Sequence, residues 1–412
     1  MKRRKWLWIA LGVAVVVSIP LVWHRVRDAR DAAALDEQLR LARAEGMATT
    51  AAEYRAGIPS AKPEENAAPL YRKLPFGKQP NWAKLTYDVN LLGDAASLRA
   101  AKEGLALRAE DLKLGDQATK LPRCWFDRPW EDGYAVLFPE LAKMKNLARA
   151  FALRGTVAAQ EGRPDDALAD AGRLFIVANH AGQEPHMIGQ LVREAIQVIG
   201  MRALGEWSFA HRGEKRYAIA LGRAAASMFM PNLKAERRGD LYATLGLVEL
   251  CATPQGRAKL GLKEDDVAPV EGLMSVLLPP GQAKVAIAKA ERAYWAALDA
   301  PEAERAAKLK AAYFEVLKGL VAFPTAAKIY TMLGSEEDPA IDRIPRFRAR
   351  QMQFVALAKA LQAGVPKTLD TKATLSPFDG EPVRYGFDGH QIQIEVSGLN
   401  GVLKIPPDPP RS

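Results

Sequence analysis

A mainly α-helical protein with a small β module at its C-terminal end is the fold class this sequence predicts, and three observations predict it. Ala, Leu, Lys, Glu and Arg, the residues of high helix propensity, fill long stretches of the chain. Apolar residues recur at three- and four-residue spacing through residues 138–364, as in Tyr217, Leu221 and Met228, in Leu241, Leu245 and Val248, and in Leu309, Tyr313, Val316 and Leu320. Clusters of β-branched residues are confined to the first and last parts of the chain. With 412 residues, 49% hydrophobic and 26% charged, the chain can bury one large core or two modest ones.

Taken in order, the chain opens on a basic tail, residues 1–5, followed by an uncharged run from Trp6 to Trp23. That run predicts a transmembrane anchor over residues 6–24, with Trp6, Trp8 and Trp23 at the headgroup levels and Pro20 near the outer end. Four basic residues precede the run, which predicts a single-pass signal-anchor in an inner membrane, N-terminus cytoplasmic and the bulk periplasmic or extracytoplasmic. The lipid bilayer is then the first expected partner. A cleaved signal peptide is the competing reading, but Leu21, Val22, Trp23 and His24 offer no small-residue cleavage site.

The net charge of +10 is concentrated at the same end, since residues 1–30 hold seven Lys and Arg against Asp28. A charge so placed does not predict nucleic-acid binding. A juxtamembrane helix is expected over residues 25–46, then a loop-rich helical segment over 47–137 with one short helix near Ala95 to Lys113. Within it, Trp125, Phe126, Trp130 and Tyr134 lie close together ahead of Phe138. This aromatic stretch is either a hydrophobic groove for a ligand or peptide or an irregular segment pinned to the body by its rings.

Residues 138–364 form the helical body of amphipathic helices, broken at Gly162-Arg163-Pro164, Gly182 to Pro185, Gly213, Pro231 and Pro279-Pro280-Gly281. The hairpin Leu147 to His180 resembles a tetratricopeptide repeat, with Gly155 twelve residues before Ala167 and Gly189 at the 34-residue period. The large residues of that motif are mostly missing, so stacked α-hairpins, weakly tetratricopeptide-like, are expected rather than a full array. Residues 365–412 form a small β module and Pro-rich tail: strands Pro382 to Phe387 and Gln391 to Val396 joined by an Asp388-Gly389 type I′ turn, with Val402 to Ile405 as a third.

Two short motifs carry a family resemblance, Glu65-Asn66-Ala67-Ala68-Pro69-Leu70-Tyr71 and Ser376-Pro377-Phe378-Asp379-Gly380-Glu381-Pro382-Val383-Arg384-Tyr385. With them the chain resembles a family of uncharacterised, signal-anchored bacterial helical proteins, and the resemblance implies no activity. The second motif also resembles the C-terminal sheet of type II secretion major pseudopilins. Ser376 stands where that family has Asp, and no acidic cluster follows Gly398, so its calcium site is not expected here. Read physically, Pro377 and Asp379-Gly380 turn the chain, Tyr385 lays its ring on the body with its hydroxyl at the edge, and Pro69 enters the first turn of a helix.

No zincin, nucleophile-elbow, P-loop, dinucleotide-binding or haem-attachment motif occurs, so no catalytic, cofactor or metal residue is assigned. The one metal candidate is the turn holding His180, Glu184 and His186, against which stands the plainer reading of solvated loop histidines. The pairs Asp165-Asp166 and Asp265-Asp266 read as helix starts. Cys124 and Cys251 are either one disulfide or two buried thiols. Arg343, Arg346 and Arg350, at i, i+3 and i+7 beside Phe347 and Arg348, form a candidate anion- or partner-binding stripe. Glu336, Glu337, Asp338 and Asp342 just upstream favour an internally compensated face instead.

The function expected from these features is a membrane-tethered, extracytoplasmic, non-enzymatic scaffold or binding protein for an envelope protein or peptide partner, without cofactors. Two alternatives remain open: an accessory component of a secretion or pilus-like assembly, and an extracytoplasmic enzyme with a pocket near Trp125 and Trp130 or the His180/His186 turn.

Overall fold

A computed structural model describes residues 2–75, 94–262, 280–321, 323–333, 339–372, 374–399 and 401–405, without the side chains of residues 2–21, 24, 280, 302–303, 332–333 and 339–342. The pair Asp265-Asp266, the acidic run Glu336 to Asp338 and the tail 406–412 lie outside the described residues. The chain is mainly helical, 69% in sixteen α-helices among the described residues, with a three-stranded antiparallel sheet at the C-terminal end, as the sequence predicts.

The first helices are α1 (Lys2–Ala44), α2 (Ala51–Ala56), α3 (Ala68–Lys73), α4 (Ala95–Ala106) and α5 (Ala109–Ala118). The helix expected near Ala95 to Lys113 is thus broken in two. The central helices are α6 (Pro139–Gln160), α7 (Pro164–Ala181), α8 (Met187–Ala210), α9 (Lys215–Ala226), α10 (Leu233–Arg237), α11 (Asp240–Ala252) and α12 (Pro254–Lys259). Then come α13 (Pro280–Ala297), α14 (Glu302–Leu320), α15 (Pro324–Leu333) and α16 (Pro339–Gln362), followed by β1 (Arg384–Phe387), β2 (Ile392–Glu395) and β3 (Leu403–Ile405). Contacts divide the chain into two interleaved compact units, one of residues 1–57, 129–136 and 237–341, the other of residues 58–128, 137–236 and 342–412.

The transmembrane expectation is corrected. Among the described residues no helix is long and apolar enough to cross a membrane. α1 runs unbroken from the apolar stretch into Arg25, Arg27, Asp28, Arg30, Asp31, Asp36, Glu37, Arg40 and Arg43. The end of this charged stretch is docked on protein: Arg292 of α13 forks onto Glu45 and reaches Gln38 Oε1 at 2.7 Å, while Trp295 Nε1 donates to the Glu45 carbonyl at 3.1 Å. The signal-anchor, single-pass and inner-membrane readings therefore do not stand, nor does the periplasmic placement of the body that depended on them.

In the second unit, α6 and α7 form a hairpin around Gly162, whose φ of 70° is the left-handed conformation glycine adopts at low cost. α8 packs on both helices because Gly155 leaves room for Trp207; a Cβ at Gly155 would stand 2.5 Å from Trp207 Cη2. The fully buried Trp207 still satisfies its N–H, donating from Nε1 to Thr156 Oγ1 at 3.0 Å. Arg154 ties α6 to its neighbours through Asp170 on α7 (2.6 Å) and Asp116 on α5 (2.8 Å). The sheet, in order β1-β2-β3, covers this core by burying Ile392, Ile394, Val396 and Ile405.

Alternation in β2 sets the register, because a one-residue slip would turn Ile392 and Ile394 to solvent. Phe387 pairs with Ile392, so the expected two-residue type I′ turn is replaced by a four-residue loop, 388–391. Asp388 Oδ1 holds that loop by accepting from the N–H groups of His390 (2.8 Å) and Gln391 (2.7 Å). The Ser376 motif turns as its residues suggest: Ser376 Oγ donates to the Ser397 carbonyl (2.8 Å), and Tyr385 donates its hydroxyl to the Pro366 carbonyl (2.7 Å).

Gly155→Val is predicted to destabilise the protein by roughly 1–3 kcal/mol, the usual cost of overpacking, read as a lower thermal midpoint. Gly172→Ala, also within a helix but with nothing within 4 Å of the added Cβ, is predicted to raise that midpoint. Equal effects at the two positions would refute the packing account.

Candidate functional site

Three segments far apart in sequence meet in the unit that contains residues 58–128. Asn66, from the first sequence motif, clamps Trp125 by donating Nδ2–H to its carbonyl (2.9 Å) and accepting its N–H on Oδ1 (2.8 Å). The same Oδ1 accepts from Ala68 N at 3.1 Å, so one side chain both starts α3 and pins the aromatic segment. Five residues on, Tyr71 is fully buried and donates its hydroxyl to His180 Nδ1 at 2.8 Å. His180 Nε2–H in turn donates to the Leu121 carbonyl at 3.0 Å, which fixes the tautomer.

The 183–186 turn completes the cluster. Gln183 Oε1 accepts from Cys124 N (2.7 Å), and Glu184 accepts from Phe126 N on Oε1 (3.0 Å) and from Arg128 Nε on Oε2 (2.9 Å). His186 Nε2–H donates to Glu184 at 3.1 Å while Nδ1 accepts from Gly189 N at 3.0 Å. Arg128 extends to Glu140 Oε2 (3.1 Å) and the Leu137 carbonyl (3.0 Å), with its guanidinium 4.8 Å from the Phe126 ring centre and 4.6 Å from that of Phe138.

Burial sets the ionisation of these groups. It pushes His180 down to about 4 and lowers His186 despite Glu184 beside it, so both imidazoles are neutral at pH 7. It pushes the Cys124 thiol well up, away from the thiolate that nucleophilic chemistry needs. The histidines are core residues rather than solvated ones, and among the described residues no group of three or more His, Cys, Asp or Glu is placed to hold a metal ion. Most of these donors and acceptors face one another, an arrangement that fixes a loop, while Arg128 Nη2 is buried without a hydrogen-bond partner.

The four aromatic candidates divide between the two units. Trp125, half-buried, and Phe126, buried, belong to the unit just described. Trp130 and Tyr134 belong to the other, where Trp130 packs edge-on to Tyr54 with ring centres 5.0 Å apart and Tyr134 places its hydroxyl 3.4 Å from Thr244 Oγ1. Near them Glu291, accepting from Thr244 Oγ1 at 2.8 Å, has its carboxyl pushed above the ordinary range by burial and by Asp240. Cys124 and Cys251 are separate buried thiols.

Arg343 of the expected basic stripe is 6% exposed and grips Glu194 Oε1 (2.6 Å from Nη2) and Glu236. These two partners are distant in sequence; the acidic run Glu336 to Asp338 lies outside the described residues. Arg346 and Arg350 are exposed on the same helix, so the three arginines do not present one common surface.

A site the motifs did not indicate lies in the unit that contains residues 237–341. α13 and α14 pack through Gly319, where a Cβ would stand 2.8 Å from Ile287 Cγ1. Beside that contact they leave an open groove of about 1170 Å³. Its floor is Ala293, Ala296, Ala297 and Ala300 on one side and Phe314, Leu317 and Val321 on the other. Phe314 is 46% and Val321 51% exposed, large apolar side chains left facing solvent. The signal in the sequence is a second apolar stripe, Phe314, Leu317 and Val321, one residue on from the buried stripe Tyr313, Val316 and Leu320.

Comparison of the chain with protein-family models, with curated proteins and with solved structures finds no match.

The histidine geometry carries a pH prediction. His180 binds its proton less readily in the folded chain than in the unfolded one, so its contribution to stability is complete above about pH 6.5 and is lost as the pH falls toward 4. Urea unfolding at pH 7.5 and pH 4.5 should show a loss larger by roughly 2.5 kcal/mol in the native chain than in His180→Gln. Equal losses in the two would contradict the buried, neutral assignment.

Proposed function

We propose that the protein is a non-enzymatic helical scaffold that holds a protein partner by an amphipathic helix of that partner, laid in the groove between α13 and α14. The groove is the observation that carries this reading. Its lining is almost wholly apolar, and the α14 wall from Lys308 to Val321 runs about 20 Å, room for three to four helical turns. Helix-in-groove recognition needs such a trough and a few apolar anchors at helical spacing. Phe314, Leu317 and Val321 supply the facing surface, while the small alanines of α13 let a guest backbone approach.

The charges at the groove have both signs, with Lys308 and Lys318 against Asp299 and Glu315. Shape and apolar anchors rather than net charge then select the occupant. In this reading the α6–α7 and α8–α9 hairpins of the other unit are a weakly tetratricopeptide-like stack, and its buried polar network holds a rigid body rather than a reaction. The polar clusters support a scaffold over an enzyme because Glu184, His186, Arg128, His180 and Tyr71 are engaged with one another or with backbone groups.

A photo-crosslinking amino acid in place of Phe314, in cells that make the protein, is predicted to give discrete adducts with a partner peptide of amphipathic helical pattern. The same probe in place of Leu107, an exposed apolar residue outside the groove, is predicted to give none of them. Identical adducts at both positions, or adducts only with a second copy of this chain, would count against the reading.

A further inference from the structure

A second cavity, lined by α7, α8, α9 and the end of α9 at Ser227, has no part in the proposed scaffold function. It measures about 370 Å³ and lies wholly within the unit that contains residues 137–236. Three stripes at helical spacing build it: Leu168, Ala171, Gly172, Phe175 and Asn179 on α7; Gln197, Met201 and Leu204 on α8; and Ala220, Arg223 and Ala224 on α9, with Ser227 capping that helix. Ala171, Gly172, Ala220 and Ala224 line it with little or no side chain, and the exposed Gly172 stands at its mouth. At Gly172 a Cβ would meet nothing within 4 Å.

Gln197 separates this cavity from an ordinary packing gap. Its side chain is 5% exposed, it lines the cavity, and its Oε1 is buried without a hydrogen-bond partner. A buried amide left unpaired is costly, and the great majority of such groups are satisfied by protein or by something bound. The terminal amide torsion is soft and exchanges oxygen for nitrogen on a half-turn, so a guest that offers both a donor and an acceptor satisfies Gln197 in either setting. The remaining lining is mostly apolar, with Leu168, Phe175, Met201 and Leu204 among its residues.

We infer that this cavity is a binding site for a small, uncharged, largely apolar molecule that carries a lactam or carboxamide and pairs it with the Gln197 side chain. Its volume suits a guest on the order of ten to twenty non-hydrogen atoms. Arg223 and Asn179 lie at the open side, Asn179 already accepting from Arg193 Nη2 at 3.0 Å, so the deep amide is the polar anchor.

The test titrates the full chain with 2-quinolinone, an aromatic lactam, by ligand-observed saturation-transfer NMR, alongside Gln197→Leu and Gly172→Met. Saturable binding to the native chain is expected, at least ten-fold weaker in Gln197→Leu, which removes the pairing group at nearly constant volume. Binding should be absent in Gly172→Met, whose side chain grows into the open space; circular dichroism confirms that both variants are folded. No saturable binding to the native chain up to millimolar probe, or binding unchanged in either folded variant, overturns the proposal. Neither result depends on the groove between α13 and α14, so the two readings fail separately.

Discussion

Glu184 keeps a carboxylate 2% exposed, and that burial is tolerable only because three donors converge on its two oxygens: the Phe126 N–H, Arg128 Nε and His186 Nε2. Apart from the backbone bridge of Arg123 to Glu65 and Ala67, the 121–128 segment has no regular secondary structure, and side chains of the α7–α8 turn satisfy the N–H groups of Cys124 and Phe126. Arg128, held by the same carboxylate, carries the constraint to Glu140 at the start of α6 and to the Leu137 carbonyl. Asn66 and His180 fasten the segment at its other residues. Taking away one partner of such a network leaves the others buried and unpaired, which costs far more than the network's net contribution.

The fold class is legible in the sequence because it rests on local pattern. Helix periodicity and the alternation of Ile392, Ile394 and Val396 need no partner to be read, whereas the polar contacts join residues many positions apart. Arg343 lies 149 residues from Glu194 and 107 from Glu236, distances at which no pattern of sequence spacing pairs them. The aromatic stretch fails for a related reason: density along the chain does not say which way each ring points, and Phe126 and Trp130 enter different cores. An apolar run at the start of the chain suggests an anchor when taken alone, yet α1 carries it without a break into a charged stretch whose end is docked on Arg292 and Trp295.

Sequence distance also concealed the candidate binding features. The polar groups that attract attention in a linear reading, the histidine turn and the arginine stripe, are largely absorbed by structure. The surfaces left available are mostly apolar and lined by small residues: alanines along α13 beside the exposed Phe314, and alanines with Gly172 around a cavity that Gln197 also lines, its Oε1 buried without a partner. Small residues are weak signals in a sequence because they also suit any close helix contact. They become informative once the helix opposite is known.

The most direct test of the Glu184 clamp is hydrogen–deuterium exchange on the full chain and on Glu184→Gln, comparing amides of residues 121–128 with those of α6. Glutamine keeps the size but loses the charge that holds Arg128 and replaces an acceptor with a donor facing other donors. The account predicts a marked loss of protection across 121–128 with the interior of α6 little changed. Unaltered protection in 121–128 would contradict it, and the segment would have to be held by packing of its aromatic rings alone.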